Sequence, residues 1–84
     1  MNANLIKSLI QQELPDAQVE VLGDDGAHFE ALVISATFVG MSPVKQHQRV
    51  YAALGERMRE EIHALSLRTL TPDQAEQIRH STRH

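Results

Sequence analysis

Two histidines stand where strands are predicted to begin, and imidazole nitrogens are common metal ligands. His63 opens a segment whose side chains alternate between two faces, which is the period of a strand. His28 lies near the start of a second alternating segment, Ala27 to Ile34, directly after a turn. A histidine at a strand start is more often a hydrogen-bonded structural residue, and two ligands do not complete a structural zinc site. The pair therefore predicts at most a partial metal site that a second protein would complete.

The 84-residue sequence contains no cysteine, so it offers no disulfide, thiolate ligand or thiol nucleophile. Any sulfur ligand must come from elsewhere. The sequence also lacks a serine–histidine–carboxylate relay, a glycine-rich phosphate loop and a paired-carboxylate signature. Asp24 and Asp25 are adjacent turn residues, which is typical of a hairpin connection. An enzyme is therefore the least supported class of protein.

The other histidines are weaker candidates. His47 falls on the predicted apolar face of a helix, where we expect a buried histidine that bonds to the backbone. His80 and His84 lie in a C-terminal stretch without apolar residues, so we expect them to be solvated.

The charge and hydropathy of the sequence argue against nucleic-acid-binding and membrane proteins. Eight Lys and Arg against eleven Asp and Glu give a formal net charge of −3, whereas binding to a phosphate backbone usually relies on clustered cations. The segment from Met1 to Leu14 is too polar for a signal peptide or a membrane span. We therefore expect a cytoplasmic protein that does not bind membranes.

Hydrophobic periodicity predicts one α+β domain over residues 1–80, followed by a frayed C-terminal tail at 81–84. The predicted order is helix, strand, strand, helix, strand, helix. A strand, a crossover helix and another strand favour a parallel pair, so the sheet should be mixed, with helices covering one face. The predicted elements are a helix to Leu14, hairpin strands at about 17–22 and 27–34, a helix from Pro43 to about Glu61, a strand at 63–70 and a helix capped by Thr71.

The long helix has the clearest predicted faces. Its polar side includes Gln46 and Gln48. Gly55 costs roughly 1 kcal/mol of helix stability relative to Ala, which weakens the prediction of an unbroken helix. Phe38 and Met41, in the loop before it, are expected to plug the core. The apolar side of the helix is predicted to consist of Val44, His47, Val50, Tyr51, Leu54 and Met58.

Four segments make the sequence resemble the BolA family, and in particular its short bacterial branch with a brief hairpin. Positions 46 and 48 are Gln where the family more often has Arg, which weakens a basic, nucleic-acid-facing character for the long helix. The segments are Gly26-Ala27-His28-Phe29, Phe38-Val39-Gly40-Met41-Ser42, Gln46-His47-Gln48-Arg49-Val50-Tyr51 and, most specific, His63-Ala64-Leu65-Ser66-Leu67-Arg68-Thr69-Leu70-Thr71-Pro72.

The resemblance implies a fold similar to class II KH domains, a monothiol glutaredoxin partner and a shared 2Fe–2S cluster. In such heterocomplexes the glutaredoxin and glutathione supply sulfur ligands, and the BolA-like protein supplies histidine, or histidine and cysteine. His63 matches the family's C-terminal ligand, and His28 is the candidate for the second ligand because the short turn leaves no other nearby. No cluster is expected on the isolated chain.

Two functional hypotheses follow. The first is a non-enzymatic adaptor in iron–sulfur cluster trafficking or iron sensing and the stress response, which docks the glutaredoxin around Gly40, Arg68 and the last strand. The second is a DNA-binding transcriptional regulator that uses the KH-like fold, against which the net charge of −3 argues. The resemblance also leaves a weak homodimer open.

Overall fold

The computed structural model describes residues 1–23, 25–60, 62 and 64–81. The predicted order of elements is confirmed, with one helix divided in two. A short 3-10 turn at Ala36–Phe38 follows the second strand. The helices are α1 (Ala3–Glu13), α2 (Pro43–Leu54), α3 (Arg57–Glu60) and α4 (Pro72–Ser81), and the strands are β1 (Gln18–Leu22), β2 (His28–Ile34) and β3 (Ala64–Leu70).

The three strands form the predicted mixed sheet, with β2 in the centre. β1 runs antiparallel to β2, and Gln18 pairs with Ile34 at one end of this hairpin. β3 runs parallel to β2 in a register that pairs His28 with Ala64. The crossover between the parallel strands contains α2 and α3, as such a connection requires more chain than a tight turn provides.

One face of the sheet forms the core, because side chains along each strand alternate between two faces. Phe29, Ala31 and Val33 of β2 are buried on this face, as the sequence predicts. Phe38 is fully buried and plugs the core from the loop, while Met41 is partly buried beside it. The helices contribute the buried side chains Ile6, Ile10, Val50 and Leu54, with Leu14 just after α1 and Ile62 after α3.

The prediction that helices cover one face holds for α1 and α2, which supply this core. α4 instead lies beside the opposite face, at the end of β3. Its Ala75, Ile78 and Arg79 line an open groove of about 260 Å³ against Leu32, Ile34 and Leu70. The remainder of that face carries no helix within the described residues.

The helix ends follow their sequence signals. Asn2 caps α1 by accepting a hydrogen bond from the backbone N–H of Leu5 at 2.8 Å. Thr71 and Gln74 form the predicted reciprocal capping box at the start of α4, at 2.9 and 3.2 Å. α4 continues to Ser81, three residues beyond its last apolar side chain Ile78. The tail is predicted at 81–84, but residue 81 is still the last residue of α4, and 82–84 lie outside the described residues.

The prediction of one helix from Pro43 to about Glu61 is wrong. α2 ends at Leu54, and Gly55 adopts a positive φ of 56° that most side chains disfavour. Its backbone N–H still donates to the carbonyl of Tyr51 at 2.9 Å, which closes the last turn. The chain then changes direction into the short α3.

The predicted apolar face of α2 is also rotated. Val44 and Tyr51 are 65% and 38% exposed, whereas Gln46 is only 6% exposed. His47, expected to be buried, is half-buried, and its ring packs edge-on against Tyr51 with centroids 6.3 Å apart. The buried positions are Gln46, Val50 and Leu54, which lie four residues apart along the helix.

Gln46 is tolerated in the core because hydrogen bonds satisfy its amide. Its Nε2 donates to the carbonyls of Met41 at 3.0 Å and Phe38 at 3.4 Å. Its Oε1 accepts the hydroxyl hydrogen of Thr69 at 2.7 Å. One side chain therefore ties the loop before α2 to the end of β3.

Replacing Gln46 with Leu should lower the free energy of unfolding by about 2 kcal/mol, because two carbonyls and a hydroxyl lose their buried partner. Urea denaturation would measure the change. Gln48→Leu, at an exposed position of the same helix, should stay within about 0.5 kcal/mol of the unchanged protein. Equal effects of the two substitutions would contradict the role of the Gln46 amide.

Asp16 connects the start of β1 to the turn after β2. Its carboxylate accepts the Ser35 hydroxyl at 2.9 and 3.0 Å, the Ala36 N–H at 2.9 Å and the Thr37 hydroxyl at 3.3 Å. Desolvation opposes ionisation, but the hydrogen bonds from Ser35, Ala36 and Thr37 outweigh it and lower the pKa of Asp16.

Asp16→Asn should destabilise the protein by about 1 kcal/mol at neutral pH, because an amide NH2 replaces one acceptor oxygen and the hydrogen bonds to a charged acceptor are weakened. The pKa of Asp16 is lower in the folded protein than in the unfolded chain, so the folded state binds fewer protons at acidic pH. The stabilisation by the Asp16 carboxylate is therefore complete only above the ordinary Asp pKa of ~3.9. The difference between the two proteins should shrink as the pH falls below that value. Urea denaturation at several pH values would measure the difference in the free energy of unfolding, with Glu20→Gln as the control. A difference that stays constant with pH would contradict the contribution of the Asp16 carboxylate.

Candidate functional site

His28 is the described member of the predicted histidine pair, and it lies on the surface. It is the first residue of β2, and alternation places it on the face opposite the core. Its side chain is 66% exposed. The neighbouring residue across the sheet is Ala64, the first residue of β3.

Asp25 holds the His28 ring from the turn. Its Oδ2 lies 2.7 Å from His28 Nδ1, a distance typical of charge-assisted hydrogen bonds. Its Oδ1 accepts the backbone N–H groups of His28 at 2.8 Å and Ala27 at 2.9 Å. The backbone N–H bonds from His28 and Ala27, followed by the bond from the His28 ring, hold the pKa of Asp25 well below its usual range.

An ionised carboxylate can only accept hydrogen bonds, so Nδ1 must carry the proton that joins the two side chains. In the neutral ring Nε2 then has the lone pair. Metal-binding histidines generally show this arrangement, in which the second ring nitrogen donates to a carboxylate or carbonyl. The Asp25–His28 pair therefore has the chemistry of a histidine ligand supported by a carboxylate.

The turn can place Asp25 under the ring only because Gly23 lets the chain pass close to β2. Gly23 has a φ of 155°. A Cβ atom there would lie 2.5 Å from Cδ1 of Phe29 and 2.6 Å from the carbonyl oxygen of His28. A side chain at position 23 would therefore displace either the buried Phe29 ring or the start of β2.

His28 opens onto a shallow concavity of about 650 Å³ on the face opposite the core. The register places Ser66, Glu30 and Leu22 in one row across the three strands, and Leu22 is 67% exposed. The concavity is lined by Leu22, Gly23, Asp25, His28, Phe29, Glu30, Ala64 and Ser66. It is open enough to admit a group held by another molecule.

His63, the other predicted ligand, lies outside the described residues. It directly precedes Ala64 in the sequence, and Ala64 is the residue paired with His28. Within the described ranges no group of three or more His, Asp or Glu side chains could hold a metal ion. The described residues therefore offer the His28 imidazole as a candidate ligand, supported by Asp25.

The residues predicted to dock a partner include Gly40, Arg68 and the last strand. Arg68 pairs with Leu32 and shares the exposed face with His28. Gly40 lies near the other end of the sheet, since Gln46 joins the adjacent Met41 to Thr69. The paired segment from His28 to Ile34 corresponds to roughly 20 Å of strand, so Gly40 and His28 lie far apart.

The sequence prediction assigned Asp25 only to turn chemistry and missed its contact with His28. The available signal was the spacing, because Asp and Asn side chains commonly accept hydrogen bonds from the backbone two or three residues later. A histidine that starts a strand three residues after such an Asp can place Nδ1 on the second carboxylate oxygen.

The element order and the mixed sheet define an α+β domain of the class II KH-like type. An exposed histidine, His28, stands at the start of its central strand. The chain belongs to the BolA family, because the family model described as BolA-like protein matches residues 10–74. The resemblance seen in the four sequence segments is thereby confirmed.

Two curated relatives illustrate the range of names in the family. The chain is 40% identical over 73 residues to the acid stress protein IbaG of Escherichia coli strain K12, with 86% of each chain covered. It is 39% identical over 61 residues to the DNA-binding transcriptional regulator BolA of Haemophilus influenzae. The second match covers 68% of this chain but only 59% of that relative's length.

Solved structures confirm the fold. A BolA protein homologue from Coxiella burnetii superposes with a TM-score of 0.79 at 44% identity, covering 90% of this chain and 97% of the other. The BolA domain of SufE1 from Arabidopsis thaliana gives 0.73 at 30% identity, covering 84% and 92%. In the part of the chain that the structure describes, no helix has the length and apolar character needed to cross a membrane.

Proposed function

We propose that the chain is a non-enzymatic adaptor that binds a monothiol glutaredoxin and contributes histidine ligands to a 2Fe–2S cluster shared with that protein and glutathione. The observation that carries the proposal is the exposed His28 ring, held at Nδ1 by Asp25 beside an open concavity. Such a ring suits nitrogen ligation, which iron–sulfur clusters accept in place of cysteine sulfur.

The composition of the chain supports a shared site. With no cysteine in the sequence, every protein thiolate must come from the partner. We assign His63 as one ligand and His28 as the second, since His63 immediately precedes Ala64, the cross-strand neighbour of His28. The cluster would supply one-electron chemistry or a transferable iron–sulfur unit, and the role of this chain is to bind and orient it.

The exposed sheet face next to His28 is the proposed docking surface. It combines apolar Leu22, exposed Arg68 and the polar Glu30 and Ser66, and no described helix covers it there. The occurrence of a BolA domain as part of SufE1 is consistent with a module that works beside another protein. The name of the E. coli relative supports a connection to stress. The cytoplasmic location and the absence of enzymatic activity remain predictions of this proposal.

Anaerobic reconstitution with a monothiol glutaredoxin and glutathione should give a coloured heterodimer with its own visible absorption and circular dichroism spectra. His63→Ala should abolish the spectrum that distinguishes the heterodimer from the glutaredoxin alone. His28→Ala should weaken or shift it, because one nitrogen ligand is lost.

His80→Ala is the matched control, since His80 is an exposed histidine on α4 whose Nε2 lies 3.0 Å from Glu76. It should leave the spectrum unchanged. A heterodimer whose spectrum survives both His63→Ala and His28→Ala would overturn the ligand assignment. Failure of the unchanged protein to form any heterodimer would overturn the adaptor function itself.

DNA binding is the second candidate function. The similarity to a relative named as a DNA-binding transcriptional regulator favours it, and Lys45 and Arg49 provide exposed cations on α2. The formal charge of −3 argues against tight binding, and Arg49 lies 3.7 Å from Glu13. On the adaptor proposal, binding to duplex DNA at physiological salt should be micromolar or weaker.

Fluorescence anisotropy with labelled duplex DNA over a range of salt concentrations would distinguish the two functions. A regulator that contacts phosphates through α2 should lose affinity steeply with salt, and Lys45→Ala with Arg49→Ala should reduce the salt slope by roughly one per contact removed. Tight, salt-dependent binding that these substitutions weaken would favour the regulator.

A further inference from the structure

Asp25 makes more contacts than a turn requires. One carboxylate oxygen accepts two backbone N–H groups, from Ala27 and His28, at 2.9 and 2.8 Å. The other oxygen is thereby directed at His28 Nδ1, at 2.7 Å. Since the backbone bonds hold the carboxylate, the ring must adapt to the carboxylate and not the reverse.

This contact determines which nitrogen of the neutral His28 ring carries the proton. A free neutral imidazole prefers to carry its proton on Nε2, which would leave only Nδ1 to bind a metal. The carboxylate of Asp25 accepts a hydrogen bond and so requires the proton on Nδ1. The preference of the free ring is therefore reversed in the folded chain.

We propose that Asp25 is a positioning residue that fixes the Nδ1–H tautomer and the orientation of His28, so that Nε2 is the nitrogen His28 presents to a metal. This inference rests on the proposed function, in which His28 is a cluster ligand. Support by an outer carboxylate typically changes metal affinity by about 10- to 100-fold. The side chains of His28 and Asp25 are 66% and 51% exposed, and exposed pairs of this kind contribute little to stability.

Asp25→Asn tests the inference with little change in shape. The amide oxygen of Asn can still accept the backbone N–H groups of Ala27 and His28, so the turn is retained. The amide nitrogen then faces His28 Nδ1 and donates to it, which moves the ring proton to Nε2. Glu30→Gln is the matched control, because it removes the same charge from the same concavity.

The tautomer can be read by long-range ¹H–¹⁵N correlation NMR of the full chain labelled with ¹⁵N-histidine, at pH ~8.5, where an ordinary imidazole is neutral. The unchanged protein and Glu30→Gln should show His28 protonated on Nδ1, and Asp25→Asn should show it protonated on Nε2. An Nε2–H ring in the unchanged protein, or an Nδ1–H ring that persists in Asp25→Asn, would overturn the inference. Retained backbone amide shifts along β2 would show that the turn is intact.

The reconstituted heterodimer provides a second readout. Loss of the cluster to a chelator should be at least about 10-fold faster for Asp25→Asn than for the unchanged protein. Equal rates would overturn the positioning role even if the tautomer changes. The NMR experiment needs no glutaredoxin. The absence of a heterodimer would therefore refute the proposed function, whereas the tautomer measurement would still decide whether Asp25 controls the His28 ring.

Discussion

The parallel pairing of β2 with β3 is the constraint on which the rest of the molecule depends. A parallel strand cannot follow directly, so the chain must leave the sheet, cross it through α2 and α3 and return at the same end. The register then determines which residues lie side by side at each end of the sheet. His28 and Ala64 meet where both strands begin, and Gln46 and Thr69 meet where β3 approaches its end.

The sequence predicts the strands well because alternation in a half-buried sheet depends on local order alone. Phe29, Ala31 and Val33 occupy the predicted buried face. The faces of α2 are harder to predict, because a helix can rotate when one polar side chain finds partners inside the core. Gln46 does so through Met41 and Thr69, and neither contact follows from helical spacing.

The candidate site was predictable in part for a similar reason. The alternating pattern places His28 at a strand start on the outer face, and the parallel register brings β3 beside it. The role of Asp25 depends on the positions of individual oxygen atoms, which residue types do not specify.

The turn before β2 also explains how so small a chain can hold an exposed imidazole in a defined orientation without a buried pocket. An exposed histidine normally samples several rotamers and both tautomers, and restricting them costs entropy. Here the carboxylate that orders the turn is itself held by two backbone N–H groups, and the same carboxylate restrains the ring. The restraint therefore comes from hydrogen bonds that the hairpin forms in any case. An exposed, oriented imidazole on an open sheet face is the form in which one protein can supply a ligand to a site completed by another.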